Sequence, residues 1–277
     1  MGFNNFIPTV WASKIEKQLE RLCVFSENCN RQYEGDVKSM GDSVRILGIG
    51  KPTITETTEK AILLTDAEVI EDTAVTMNIN HIAHFNYMVD DIDKRQEKPE
   101  GIMQALSAET SEGLANVVDR YIAGLAGDKM AFMDTTDITP ITKDNILGRI
   151  DSALSCLYKN DVAMSTRVTL TVSPHFYMLL KQAYAALDTN NTNLLKNGRV
   201  GMYGNVEIKM SNNVLKDGDK GEKAMLRTDR AIAFVQPLTH IEAYRPEKKF
   251  SDAMKGFILY DAKIVRPREL VVMNVKY

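Results

Sequence analysis

The sequence is poor in the residues that most metal sites, disulfide scaffolds and nucleophilic enzymes depend on. Its 277 residues include three cysteines, four histidines and a single tryptophan. Cys23, Cys29 and Cys156 are odd in number and scattered, a pattern that fits neither a disulfide framework nor a zinc site. A reducing compartment suits such a chain. No sign of charge dominates: 34 basic against 37 acidic residues leave a net charge of −3, which gives no general hold on nucleic acid. No apolar run approaches the roughly 20 residues that span a bilayer. Residues 1–14, MGFNNFIPTVWASK, lack a charged leader ahead of an apolar stretch, so no secretion signal is expected. Phe6 stands where an N-myristoylation motif needs Ser or Thr. Repeats and low-complexity tracts are also missing. With 44% hydrophobic and 26% charged residues, the chain can still bury a sizeable core without staples.

Motifs that carry chemistry are absent or incomplete. Gly48-Ile49-Gly50-Lys51 has the flavour of a phosphate loop, but Pro52 follows where Ser or Thr is needed, and a third Rossmann glycine is missing. Those glycines read better as a bend or bulge in a strand. Asp90, Asp91 and Asp93 form the best metal-like cluster, yet the glycine and the twelfth-position Glu of a calcium loop are lacking. They read as a polar strand cap, with pairing to a neighbouring chain as the functional alternative. His81 and His84 fall in a strand-like run, where a spacing of three points side chains to opposite faces. His175 follows a proline at a helix start without an acid or cysteine at catalytic spacing. No Gly-x-Ser-x-Gly, His-Glu-x-x-His or Cys-x-x-Cys occurs, and Asn190-Asn191-Thr192 reads as a polar turn. No catalytic, cofactor-binding or metal residue is therefore assigned, and the chain is not expected to be an enzyme.

The patterning that is present predicts an α+β chain. Trp11, Ile15, Leu19 and Leu22 mark one face of a short helix behind Thr9, with Lys14, Glu16, Lys17 and Glu20 on a solvated face. Residues 43–55 are β-branched and punctuated by Gly and Pro, and a second β-rich run covers 73–89, so the two predict an extended hairpin with a polar connection. Ile46, Ile49 and Ile54 give it an apolar edge with no evident cover in its own chain. Arg45, Ile49, Lys51, Ile54, Glu56, Asp90, Asp91 and Asp93 are the candidate subunit-interface residues. Residues 101–130 carry the longest helical stripe (Met103, Leu106, Ala115, Val118, Ile122, Leu125), which leaves Asp119 and Arg120 outside it. Such a helix would reach roughly 40 Å at ~1.5 Å per residue. A helix over 144–157, a strand over 167–172, a helix opened by Ser173-Pro174, and a strand-rich remainder complete the reading.

Several segments, taken in order, resemble the coat proteins of tailed bacteriophages. They are Asn30-Arg31-Gln32-Tyr33-Glu34-Gly35, Gly41-Asp42-Ser43-Val44-Arg45, and Tyr87-Met88-Val89-Asp90-Asp91-Ile92-Asp93 with Phe85 ahead of it. Later come the Ser173-Pro174 helix start, Asn197-Gly198-Arg199-Val200-Gly201, Gly204 followed by Val206, and Met210-Ser211-Asn212. The resemblance implies the Hong Kong-type capsid fold: an amino-terminal arm (1–40), an extended hairpin loop (41–70), a peripheral domain with a spine helix (71–145), and an axial domain plus returning peripheral strands (146–277). It implies a major capsid protein that packs as hexamers and pentamers into an icosahedral head enclosing double-stranded DNA without sequence-specific binding. The implied partners are many copies of itself, a portal, decoration proteins and a separate scaffolding protein, since the arm pattern begins within the first ten residues. No cofactor and no membrane are implied, and the implied location is the virion, after assembly in the host cytoplasm. An encapsulin-type compartment shell is the alternative.

Overall fold

The computed structural model describes residues 15, 18, 19, 22–34, 41–49, 72–90, 99–128, 132–134, 139–186, 201–218, 221–247 and 251–277. Near the start of the chain, Ile15 and Leu19 are fully buried on helical backbone, as their spacing predicts. Leu22 departs from that face and is 44% exposed. The helix closes there, with the Cys23 N–H on the Leu19 carbonyl, and Cys23 and Phe25 fill the space instead. Trp11 lies outside the described residues.

Strand β1 (Ser43–Ile49) pairs antiparallel with β2 (Asp72–Asn78), from Ser43 opposite Asn78 to Ile49 opposite Asp72. The predicted single run over 73–89 is two strands in two sheets. Ile79 closes the hairpin base, its N–H on the Asp42 carbonyl and its carbonyl taking the Gly41 N–H, and the Asn80 N–H turns to the Asp261 carboxylate at 3.3 Å. Beyond that corner β3 (His81–Asp90) leaves the hairpin for a different partner. Helix α1 (Pro99–Gly124) runs 26 residues without a break at Gly113, where a Cβ would meet nothing. A short 3-10 turn, Leu125–Gly127, ends it.

The rest of the chain is β4 (Phe132–Asp134), α2 (Ile146–Lys159), β5 (Val168–Val172), α3 (Pro174–Ala186), β6 (Met202–Tyr203), β7 (Val206–Met210), β8 (Leu215–Lys216), β9 (Glu222–Thr228), β10 (Ile232–Tyr244), β11 (Ser251–Ile264) and β12 (Leu270–Val275). Ser173 caps α3 as its position predicts, its Oγ accepting the Phe176 N–H at 3.3 Å with Pro174 as the first helical residue. Besides the β1–β2 hairpin there is a three-stranded sheet in the order β10-β11-β3. A seven-stranded sheet follows the order β4-β12-β9-β5-β7-β6, with β8 beside β9. Within the strand-rich remainder β4–β12 and β5–β7 pair in parallel, and β10 and β11 are 13 and 14 residues long.

Alternation explains how one sheet serves two cores. Leu226, Val271, Met273 and Val275 face α2 and α3, whereas Met225, Leu270 and Val272 face the arm and α1. Strands buried on both faces tend to read as continuous apolar runs, and β12 nearly does, whereas β5 is buried at all five positions although Thr169 and Thr171 alternate with its apolar residues. In the three-stranded sheet Gly256 lets the Phe85 ring lie on the backbone: an added Cβ would sit 2.7 Å from that ring and 2.8 Å from the His240 carbonyl oxygen.

Candidate subunit-contact surfaces and the arm anchor

The base of the hairpin belongs to its own subunit. Val44, Ile46, Met77 and Ile79 are buried in a cluster with Ala233, Val235 and Leu259 of β10 and β11. The expectation that Ile46 lacks cover is therefore wrong. Alternation sends Val44 and Ile46 to one face and Arg45, which is exposed, to the other. The Lys263 ammonium donates to the Thr76 carbonyl at 2.6 Å and ties the second strand down as well. Ile49 occupies the last described rung, opposite Asp72. Lys51, Ile54, Glu56, Asp91 and Asp93 lie outside the described residues.

Asp90 ends β3 opposite Ser251. Nine residue steps of strand lie between it and His81, roughly 30 Å at ~3.3 Å per residue. The hairpin candidates and the aspartate candidate are thus two places, not one site. Between them the outer face of the β10-β11-β3 sheet carries rows of aligned side chains: His240, Phe257 and His84; Glu242, Lys255 and Asn86; Tyr244, Ala253 and Met88. Lys255 pairs with Glu242 at 3.1 Å and lies 5.0 Å over the Tyr244 ring, and the Tyr244 hydroxyl donates to Asn86 Oδ1 at 3.1 Å. Ile82 and Met88 on this face are 42% and 52% exposed. His81 points the other way, its ring 4.3 Å from that of Tyr121, so the two histidines part as their spacing predicts. Among the described residues no group of three or more His, Cys, Asp or Glu could hold a metal ion.

A second feature escaped the sequence reading. Asp119, placed outside the helical stripe, is 2% exposed, and Arg227 is fully buried. The stripe sits around Ser107, Ser111, Leu114, Ala115, Val118 and Ile122, so Asp119, four residues after Ala115, falls at its edge. Its carboxylate accepts the Val24 N–H at 2.9 Å and the Phe25 N–H at 3.0 Å. Arg227 donates from Nη2 to the Phe25 carbonyl at 2.5 Å and from Nη1 to the Asn28 carbonyl at 2.6 Å and Cys29 Sγ at 3.2 Å. Burial pushes the Asp119 carboxyl up from its ordinary range, against the backbone donors and the Arg227 charge. Burial first, then the Asp119 charge, pushes the Cys23 thiol up to about 12 and makes it an inert core residue. The sequence holds little signal for this anchor, because Arg227 stands in a strand, Glu222–Thr228, that already carries Glu222 and Lys223.

No protein-family model and no curated protein sequence matches the chain. Solved structures do. A chain from Mycobacterium phage Che8 is 29% identical, with a TM-score of 0.73 over 99% of this chain and 98% of that one. The capsid of the cyanophage P-SCSP1u is 14% identical, with a TM-score of 0.67 over 91% of this chain and 88% of that one. A virus-like particle from Pyrococcus furiosus is 13% identical, with a TM-score of 0.61 over 96% and 98% of the two chains.

Proposed function

The chain has the fold of phage capsid proteins, and from that premise we propose that it is a major capsid protein whose copies close into an icosahedral head around double-stranded DNA. The observation that carries this reading is the end-to-end likeness to the Che8 phage chain, which covers both chains almost completely. The role is structural rather than catalytic. Hexamers and pentamers would form from many individually modest contacts, whose sum becomes stable on closure. Within the subunit, we assign residues 1–40 to the arm, 41–70 to the extended hairpin loop, 71–145 to a peripheral domain containing α1, and 146–277 to an axial domain with returning peripheral strands. Arg45, Ile49, Lys51, Ile54 and Glu56 would meet one neighbour and Asp90, Asp91 and Asp93 another. A separate scaffolding protein, a portal and decoration proteins are the partners this role calls for, with assembly in the host cytoplasm and residence in the virion.

The likeness to the Pyrococcus virus-like particle supports a second reading, an encapsulin-type compartment that holds protein cargo. Expression of the full chain, alone and with a co-expressed scaffold, followed by electron microscopy and light scattering, tests both. Closed shells are the expected product, and a chain that stays monomeric under every condition defeats both readings. Nuclease-protected DNA in particles purified from lysed host cells supports the head, whereas protein-filled particles without DNA support the compartment.

A further inference from the structure

The arm is gripped by its backbone. Residues 24–28 turn through a short 3-10 segment, Ser26–Asn28, between α1 on one side and β9 on the other. Phe25 is held twice, its N–H by Asp119 and its carbonyl by Arg227, and the same two side chains also take the Val24 N–H and the Asn28 carbonyl. All four contacts are to main-chain atoms, made by side chains at most 2% exposed. The side chains of the segment are held as well: Phe25, Ser26 and Asn28 are buried, the Glu27 carboxylate meets the Lys209 ammonium, and Asn28 Nδ2 donates to Thr169 Oγ1 at 3.1 Å. Downstream, Asn30 adds a rung beside β10: its N–H donates to the Ile232 carbonyl at 2.8 Å, and its carbonyl accepts the Phe234 N–H at 2.9 Å.

We propose that Asp119 and Arg227 are positioning residues for the arm, two jaws that hold the backbone of residues 24–28 as one unit, so that loss of either jaw frees the whole segment. The physical reason is the asymmetry of buried polar groups. Removing the guanidinium takes the Nη1 donor from the buried Asn28 carbonyl and leaves the Phe25 carbonyl only the weak Cys29 thiol at 3.3 Å, and removing the carboxylate takes the acceptor from the Val24 and Phe25 N–H groups. Each loss makes the docked state of the same five residues unfavourable, and rehydration requires the segment to leave together. The jaws read no side chain of residues 24–28; they fix the path of the backbone, and the packing of Phe25 in the core constrains the sequence there.

Hydrogen–deuterium exchange of the full chain tests this. Arg227→Met touches no arm amide directly, yet the amides of Val24, Phe25 and Asn30 should exchange on the order of tenfold faster or more. The Phe234 amide should follow, while α2, α3 and β7 keep wild-type protection. Asp119→Asn should give the same footprint, and Arg227→Lys, which keeps the charge but not the fork, should fall between. Should Arg227→Met give no folded protein, the Asp119→Asn footprint decides. The proposal is overturned if the Asn30 and Phe234 amides keep wild-type exchange in the folded variants. Protection lost equally across α2, α3 and β7 also overturns it, because that marks general destabilisation.

Discussion

Single residues decide more here through what they leave no room for than through reactivity. Gly256 is the clearest case. Replacing it with Ala drives a methyl into the Phe85 ring and the His240 carbonyl, and about 1–3 kcal/mol of destabilisation is expected, read as a lower midpoint in chemical denaturation. Carboxylates give the second case, with opposite signs at two sites. At Glu269 burial works to raise the pKa, but hydrogen bonds from Thr228 and Arg266 and the charges of Arg230 and Arg266 prevail and hold it below its ordinary 4.5. Its stabilising contribution is then fully present above about 4.5 and is lost as pH falls through the lowered folded value. Glu269→Gln should accordingly flatten the acid limb of a melting-temperature profile, and an unchanged limb would count against this assignment. Asp119 runs the other way: its folded pKa is raised, so folding favours the protonated carboxyl, and stability at this site falls as pH rises through the folded value. Neither carboxylate was legible in the sequence, because a charged letter in a helical or turn pattern is normally solvated, and only the fold brings Val24 and Phe25, some 95 positions away, against Asp119.

Elements were legible wherever one face meets one core. Helix α2, with Ile146, Ile150 and Leu157 fully buried, and α3, with its Ser173 cap, sit close to where periodicity and capping placed them. The second hairpin strand was read through its own end. Residues 72–78 and 81–90 are both β-rich, and nothing local marks Ile79–Asn80 as the corner between sheets, because Asp261, which takes the Asn80 N–H, is 181 positions distant. The same long-range pairing gives Ile46 its cover. An expected contrast follows. Ile46→Ala should cost the subunit about 2–5 kcal/mol, since Ile46 is 1% exposed in the cluster with Val235 and Leu259. The double substitution of Ile49 and Ile54 by Asp should leave a soluble, folded subunit whose shells fail to form or dissociate on mild heating. Circular dichroism and electron microscopy of the two variants separate the effects, and an unfolded Ile49/Ile54 variant would remove that pair from the interface.

At the scale of the whole molecule, the seven-stranded sheet joins two cores that would otherwise be independent. Val271 and Val272 are neighbours in β12, yet they face opposite cores. Val271→Ala and Val272→Ala should each lower stability by about 1–3 kcal/mol and should shift one common transition, followed by near- and far-ultraviolet circular dichroism. Two resolved transitions, one moved by each variant, would mean that the cores unfold separately. The α+β class was readable from composition and patterning, whereas the parallel pairings β4–β12 and β5–β7 were not, since register between distant strands leaves no trace in a local window. The buried hairpin base also has a mechanical meaning. A beam fixed at one end carries its greatest bending moment at the support, and here the support is Val44, Ile46, Met77 and Ile79 set against β10 and β11. A load on the β1–β2 hairpin would therefore be taken up at the β10-β11-β3 sheet, whose Asp261 also accepts the Tyr121 hydroxyl of α1 at 2.8 Å.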